Sequence, residues 1–176
     1  VLRGYAMPVY PDATPDEIRH FARQLATRFA LAEDQEQVDK VLDLRAEGSL
    51  INHIIYDDAR GLSAYAHEGM VSWTQLLARG GERVREQPEL VDNLIGRANP
   101  NSPAVFVHSS GTTGKPKGIV LSHRGLLAGV SSAYRGGAFA AGENVLAYLP
   151  MAWVGDFALT IVAGIALRFV VNIPER

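Results

Sequence analysis

The chain has 176 residues, of which 47% are hydrophobic and 20% are charged, and this composition excludes a disordered chain and a coiled coil. It contains no cysteine, which excludes a disulfide framework, a zinc knuckle and a cysteine nucleophile. The net charge of −2 argues against a protein that binds nucleic acid through bulk positive charge.

The first part of the chain alternates strand and helix patterns. Residues 5–10 form a hydrophobic run that predicts a buried strand, and Pro11 ends it. Thr14, followed by Pro15 and Glu17, is typical of a helix start with a capping box. The same reading predicts a strand, a second capped helix and a further strand at residues 29–32, 34–42 and 50–56.

The middle of the chain predicts a loop followed by a helix. Residues 57–71 are rich in glycine, alanine and charged residues and predict the loop. Residues 72–85 predict the helix, and the spacing of Trp73, Leu76 and Leu77 indicates that these side chains face the core.

Residues 99–103, with the sequence NPNSP, interrupt any regular element and give the best candidate boundary. Residues 1–98 are then an upstream βαβ layer, and residues 99–176 are a second segment of the same domain. The elements predicted in this second segment are strands at 105–107, 119–121, 145–149 and 169–173, a helix capped by Ser122, and a helix at 157–167. Repeated strand and helix units predict an α/β fold with mostly parallel sheet layers flanked by helices.

Charge is unevenly distributed along this pattern. Residues 93–142 contain no Asp or Glu, yet they hold nine of the 17 glycines. The same stretch carries five cationic residues, which are Arg97, Lys115, Lys117, Arg124 and Arg135. A positive, glycine-rich stretch in an otherwise acidic chain indicates a site for a small anion.

The loop at residues 109–118, SSGTTGKPKG, has the chemistry of a phosphate site. Its glycines allow close backbone approach, its four hydroxyls offer hydrogen-bond donors, and Lys115 and Lys117 supply positive charge. It is not a Walker A loop, because that pattern needs a glycine where Ser109 stands and a hydroxyl residue where Pro116 stands. The alternative is a soluble surface linker.

Every position of this loop matches [ST]-S-G-T-T-G-x-P-K-G, and the chain therefore resembles the AMP-forming adenylating enzymes, which include acyl-CoA synthetases, luciferases and peptide-synthetase adenylation domains. Residues 4–18 and 149–156 are similar to the family's segments before and after the loop. The form of residues 152–156 and the ending at 169–175 look most like bacterial long-chain fatty-acid–CoA ligases. The resemblance implies an internal fragment of the large N-terminal domain, because the family's later motifs have no counterpart here.

The resemblance also implies a reaction and a set of site residues. An acid attacks the α-phosphate of ATP to give acyl-AMP and pyrophosphate, and the thiol of CoA then takes the acyl group. The implied phosphate-binding residues are Ser109, Ser110, Gly111, Thr112, Thr113, Gly114, Lys115 and Lys117. Lys117 is the candidate catalytic residue, and Ser109 is a candidate partial ligand of Mg²⁺. The fragment by itself is expected to be inactive.

Trp153 and Phe157 are four residues apart and are candidates for one wall of an acyl channel, although this spacing is also typical of a plain core. The five histidines have no tight metal-ligand spacing; His108 and His123 flank the loop and could touch the nucleotide. A different class of function remains open, namely a non-catalytic nucleotide- or phosphate-binding α/β module.

The expected partners are a fatty acid, ATP and CoA, with no nucleic acid. The apolar run at 157–167 is too short to span a bilayer of about 30 Å and predicts a buried helix rather than a membrane anchor. We expect a cytoplasmic location and leave peripheral membrane contact open. The acyl chain length and the oligomeric state do not follow from the sequence.

Overall fold

In the computed structural model, residues 4–109 and 117–174 are described, and they divide into two units. One unit is built from Pro11–Asn93, and the other is built from the chain on either side of it. Both units combine strands with helices, so the predicted α/β class is confirmed.

The unit Pro11–Asn93 contains a three-stranded parallel sheet in the order β1-β2-β3. Its elements are α1 (Pro15–Gln24), β1 (Phe29–Ala32), α2 (Gln35–Ala46), β2 (His53–Tyr56), β3 (Met70–Ser72), α3 (Trp73–Glu86) and the start of α4 (Leu90–Gly96). Ile54 of the central strand pairs with Ala30 on one side and Met70 on the other. Ile54 and Val38 of α2 are fully buried, and the core of this unit forms around them.

The predicted helix starts of this unit are confirmed. The Thr14 hydroxyl accepts from the backbone N–H of Glu17 at 3.3 Å, and the Thr14 backbone N–H donates to the Glu17 carboxylate at 2.8 Å. Asp34 caps α2 by accepting from the backbone N–H of Gln37 at 3.1 Å. Each cap satisfies a backbone donor that the helix itself leaves unpaired.

Two expectations for this unit are wrong. The predicted loop at 57–71 ends inside β3, a strand of three residues that is too short to show a periodic pattern. Trp73, Leu76 and Leu77 of α3 do not face a core, because their exposed fractions are 41%, 36% and 58%. Helical spacing identifies an apolar face, but it does not say what that face contacts.

The second unit contains a two-stranded antiparallel hairpin and a separate pair of parallel strands. Its elements are β4 (Pro103–Ser109), β5 (Lys117–Ser122), α5 (His123–Arg135), β6 (Asn144–Leu146), α6 (Val154–Asp156), a π-helix (Phe157–Ala163), α7 (Gly164–Leu167) and β7 (Val170–Asn172). Val130 of α5, Ala163 and Phe169 form a core cluster in this unit.

The structure also changes two details in this unit. Residues 5–10 make a single bridge, Ala6 with Val105, instead of a full strand, and the prolines at positions 8 and 11 lack the N–H groups that a ladder requires. The predicted helix at 157–167 is a π-helix followed by α7. Within the described parts of the chain, no helix is long and apolar enough to cross a membrane.

Candidate phosphate-binding site

The two ends of the glycine-rich loop lie opposite one another. β4 ends at Ser109, β5 begins at Lys117, and these two residues are partners in the antiparallel register. Such partners have Cα atoms about 5 Å apart and side chains on the same face of the sheet. The hairpin therefore holds the Ser109 hydroxyl and the Lys117 ammonium on one face at the mouth of the loop.

Six of the predicted phosphate-binding residues lie outside the described residues, and they are Ser110, Gly111, Thr112, Thr113, Gly114 and Lys115. Their roles stay predictions. The described ends nevertheless show which strands carry the loop.

Strand β4, which leads into the loop, packs against other parts of its unit. Val105 and Val107 of β4 are buried, and they alternate with residues on the opposite face. Period-two alternation puts Ser109 on the same face as these two valines. On the opposite face, the ring of Phe106 packs against Tyr5 with centroids 5.9 Å apart. The loop is therefore carried by a strand that is packed on both faces.

Lys117 is available for a ligand. Its side chain is exposed, and the described residues give it no ion pair. Arg124, by contrast, donates from Nε to Asn101 Oδ1 at 2.9 Å and ties the start of α5 to the turn before β4. Because residues 93–142 contain no carboxylate, nothing along this stretch neutralises the Lys117 charge. A phosphate oxygen is the kind of partner that such a lysine takes.

The donor set fits Mg²⁺ only as part of a nucleotide complex. Among the described residues, no group of three His, Asp or Glu could hold a metal ion. Ser109 offers one hydroxyl oxygen, and magnesium in phosphate sites takes most of its remaining ligands from phosphates and water. Ser109 could therefore complete the coordination of a phosphate-bound ion but could not hold that ion alone.

The two histidines beside the loop differ in their placement. His108 pairs with Gly118 in the hairpin register, on the face opposite Ser109 and Lys117. His123 is the first residue of α5, and its backbone N–H donates to the Ser102 carbonyl at 3.3 Å. A contact of either histidine with the nucleotide stays a prediction.

The predicted substrate residues lie in a second segment of the same unit. The backbone N–H of Trp153 donates to the Pro150 carbonyl at 2.9 Å, and the N–H of Phe157 donates to the Trp153 carbonyl at 3.3 Å. The Trp153 side chain is half exposed, and Phe157 is partly buried. Within the described residues, no hydrogen bond or ring contact joins them to Ser109 or Lys117. Their role in an acyl channel stays a prediction.

Gly155 leaves room for the Trp153 indole, a feature that the sequence analysis missed. A Cβ atom at position 155 would overlap the indole ring. The absence of a side chain therefore lets the ring lie across the backbone of α6. The signal in the sequence is a glycine two residues after a tryptophan, which is too common a pattern to interpret alone.

An apolar cavity of about 360 Å³ lies between α5 and the π-helix. Its lining consists of Leu121, Gly125, Leu126, Gly129, Val130, Ala133, Phe139, Gly155, Ala158, Leu159 and Ala163. The small residues Gly125, Gly129 and Ala133 recur every four positions along α5, so they share one face of that helix. A volume of this order lies at the lower end of the range for small-molecule sites.

Asp156 and Thr160 form a buried polar pair beside this cavity. The Thr160 hydroxyl lies 2.8 Å from the Asp156 carbonyl oxygen, to which it donates, and 3.3 Å from the Asp156 carboxylate. Both residues are buried, and among the described residues no buried side-chain oxygen or nitrogen lacks a hydrogen-bond partner. The pair joins α6 to the π-helix, and we assign it a structural role.

The sequence model of the AMP-binding enzyme family matches residues 2–176. The chain belongs to the AMP-binding enzyme family. Its relatives in this family include 4-coumarate–CoA ligase 4 of Arabidopsis thaliana, which is 29% identical over 145 residues that cover 80% of this chain and 24% of that enzyme. The peroxisomal long chain acyl-CoA synthetase 6 of the same plant is 26% identical over 172 residues, which cover 93% of this chain and 23% of that enzyme.

Solved structures of other proteins share the fold of this AMP-binding family chain. The luciferase-like enzyme of the nonluminescent mealworm Zophobas morio has a TM-score of 0.69 at 20% identity, covering 96% of this chain and 36% of that one. ATP-bound MatB of Rhodopseudomonas palustris has a TM-score of 0.64 at 17% identity, covering 98% and 31%. The chain spans about a quarter of the length of the curated relatives named above.

Proposed function

We propose that the whole protein is an ATP-dependent acid–CoA ligase that forms an acyl-AMP and passes the acyl group to CoA. The observation that carries the proposal is the complete match of residues 109–118 to the adenylating signature, with Ser109 and Lys117 as cross-strand partners at its two ends. Membership of the AMP-binding family supports it. ATP and CoA are then co-substrates.

In this proposal Lys117 acts on the leaving pyrophosphate. Its ammonium binds oxygens of the β- and γ-phosphates and stabilises the negative charge that grows there as the α-phosphate is transferred to the acid. The hydroxyls of Ser109, Ser110, Thr112 and Thr113 donate to the same oxygens. Gly111 and Gly114 let the backbone approach closely, and Lys115 adds positive charge. A bound Mg²⁺ would supply further charge neutralisation, with Ser109 as a partial ligand.

We propose a fatty acid as the acid substrate. Long-chain acyl-CoA synthetases and 4-coumarate–CoA ligases both occur among the relatives, so family membership alone does not choose between them. The cavity beside α5 favours an aliphatic tail, because none of its lining side chains could pair with a phenol hydroxyl. Trp153 and Phe157 are the proposed wall between the reaction centre and this tail.

Exchange of labelled pyrophosphate into ATP tests the proposal on the whole protein. The acids compared are acetate, octanoate, palmitate, 4-coumarate and phenylalanine. We expect exchange with the fatty acids and much slower exchange with 4-coumarate and phenylalanine. A preference for 4-coumarate would overturn the substrate, and a preference for phenylalanine would overturn the substrate class. ATP binding without exchange for any acid would support the non-catalytic module instead.

The isolated 176-residue chain is proposed to be inactive in the same assay. It offers the phosphate loop and the cavity, but no residue in it matches the family's later catalytic lysine. Measurable exchange by this chain alone would refute that proposal. The proposed location is cytoplasmic.

A further inference from the structure

The turn before β4, residues 99–103, is tied to the first residues of α5. We propose that the side chains of Asn101 and Arg124 form a clamp that sets the register of the β4–β5 hairpin. That register places Lys117 opposite Ser109 at the mouth of the loop. Asn101 and Arg124 are positioning residues, since they act through Lys117. The inference rests on the function proposed above, which gives Lys117 a phosphate to bind.

Three hydrogen bonds among the described residues join this turn to the start of α5. Arg124 Nε donates to Asn101 Oδ1 at 2.9 Å. The backbone N–H of Arg124 donates to the Pro100 carbonyl at 2.8 Å. The backbone N–H of His123 donates to the Ser102 carbonyl at 3.3 Å. Because β5 ends at the residue before His123, holding the start of α5 also holds the end of β5.

The turn itself is closed by Asn99. The side-chain oxygen of Asn99 accepts from the backbone N–H of Asn101 at 2.9 Å, and its carbonyl accepts from the backbone N–H of Ser102 at 2.9 Å. Such local contacts of an asparagine with the following backbone are typical of turns. The backbone that carries the Asn101 side chain is therefore fixed, and Arg124 meets an acceptor that the turn already positions.

The register of the hairpin changes by one residue between the clamp and the loop. Next to the clamp, Pro103 pairs with Ser122. One step further, Val105 pairs with Leu121, so Ala104 is an extra residue on β4. An extra residue of this kind is a β-bulge, and bulges redirect the side chains that follow them.

The bulge decides which residue Lys117 faces. If the pairing next to the clamp continued without it, Lys117 would lie opposite His108; with the bulge, Lys117 lies opposite Ser109. Successive residues of a strand point to opposite faces, so the bulge-free register would put the ammonium on the face away from the Ser109 hydroxyl. A shift of one residue would therefore separate the two groups that the proposed function needs together.

Burial fixes the position of β4 but not that of β5. Val105 and Val107 of β4 are 0% and 4% exposed. Ile119 and Val120, on opposite faces of β5, are 43% and 52% exposed, so neither face of β5 is buried there. A loop as long as the one between these strands does not impose a register as a tight hairpin turn does. The clamp supplies the constraint on β5 that burial and the loop do not.

Disulfide trapping in the whole protein reads the register without ATP or acid, and residues 1–176 contain no cysteine of their own. Ser109→Cys with Lys117→Cys reports the observed register, because ladder partners lie within disulfide range. His108→Cys with Lys117→Cys reports the bulge-free register. With diamide as oxidant and peptide mapping as readout, the first pair should form its disulfide about tenfold faster or more.

Removing either side of the clamp should lower this trapping ratio. Asn101→Ala should lower it about threefold to tenfold, the low end of what a hydrogen bond to a charged group contributes, because the contact is exposed. Arg124→Met removes the donor and should have the same effect, and the two changes together should do no more than either alone. Asn101→Asp keeps an oxygen acceptor and should restore most of the ratio.

Pyrophosphate exchange by the whole protein tests whether the clamp acts through Lys117. Asn101→Ala should lower kcat/KM for ATP about threefold to tenfold. In the Lys117→Ala background the same change should cost less than about twofold, because the group that the clamp positions is then absent. Asn93→Ala is the matched control, an exposed asparagine whose side chain makes no hydrogen bond among the described residues, and it should cost less than about twofold.

The two readouts separate the clamp from the catalytic proposal. An unchanged trapping ratio in both Asn101→Ala and Arg124→Met would overturn the clamp, whatever their exchange rates. An equal loss of exchange with and without Lys117 would overturn its action through that lysine and leave Asn101 a purely structural residue. Absence of exchange with every acid in the wild type would overturn the proposed function, while the trapping ratio would still decide whether the clamp sets the register.

Discussion

Replacing Lys117 with alanine should impair adenylate formation far more than replacing Lys115. Lys117 is exposed, has no ion pair among the described residues and lies opposite Ser109, so its removal should change the free energy of unfolding by less than about 0.5 kcal/mol. In the nucleotide complex the same ammonium would make a charge-assisted hydrogen bond worth about 1.5–3 kcal/mol. That energy corresponds to a loss of about ten- to more than a hundredfold in rate.

The assay is kcat/KM for pyrophosphate exchange in the whole protein, with thermal unfolding measured alongside. Lys115→Ala should lose only a few-fold, since the adenylating signature specifies lysine at 117 and leaves 115 variable. Arg135→Ala is the matched control, because it removes a cation from the same positive segment at the end of α5. Equal losses for the two lysines, or a loss at Arg135 as large as at Lys117, would refute a specific phosphate contact.

Three further predictions concern stability and local packing. Gly69→Ala should lower the free energy of unfolding, measured in urea, by about 2 kcal/mol or more, because φ is +81° and a Cβ would overlap a backbone carbonyl oxygen. The matched variant Gly48→Ala, with φ +85° and open space around it, should lower it by only about 1 kcal/mol. The Thr14 backbone N–H and hydroxyl hold the pKa of Glu17 below its ordinary value of 4.5, so the ionised Glu17 stabilises the fold fully above that value and loses this effect as the pH falls through the folded-state pKa. Glu17→Gln should therefore narrow the difference in melting temperature between pH 7 and pH 3, and an unchanged difference would contradict this. Gly155→Ala should displace the neighbouring indole and shift its fluorescence, measured with the other tryptophan replaced by phenylalanine; an unshifted spectrum would argue against the packing.

Features with a local cause could be predicted from the sequence. The caps at Thr14 and Asp34 depend on a side chain and a backbone N–H three residues away, so their residue pattern identified them. The strand at 29–32 and the extended segment after the loop were also predicted correctly. The family resemblance was recognised because ten consecutive positions agree with one signature, and the family match confirms it.

Features that depend on distant parts of the chain could not be predicted in the same way. The exposed face of α3 depends on whether another element covers it, and periodicity carries no information about that. The cavity forms only where α5 and the π-helix meet. In the sequence, Gly125 and Gly129 indicate only low helix propensity, whereas in the structure they line this cavity. The antiparallel pairing of β4 and β5 likewise followed from neither strand alone.

The pairing of Ser109 with Lys117 also affects how the signature loop can vary. The loop begins and ends at two residues that are partners in the hairpin. The hydrogen bonds of the two strands therefore offset the entropy that is lost when the ends of the loop are brought together. A change of sequence or length between these partners then alters the loop without shifting the register of β4 and β5. Insertions placed between 109 and 117 should therefore be better tolerated by the fold than by ligand binding, which makes this hairpin a natural anchor for engineered anion receptors.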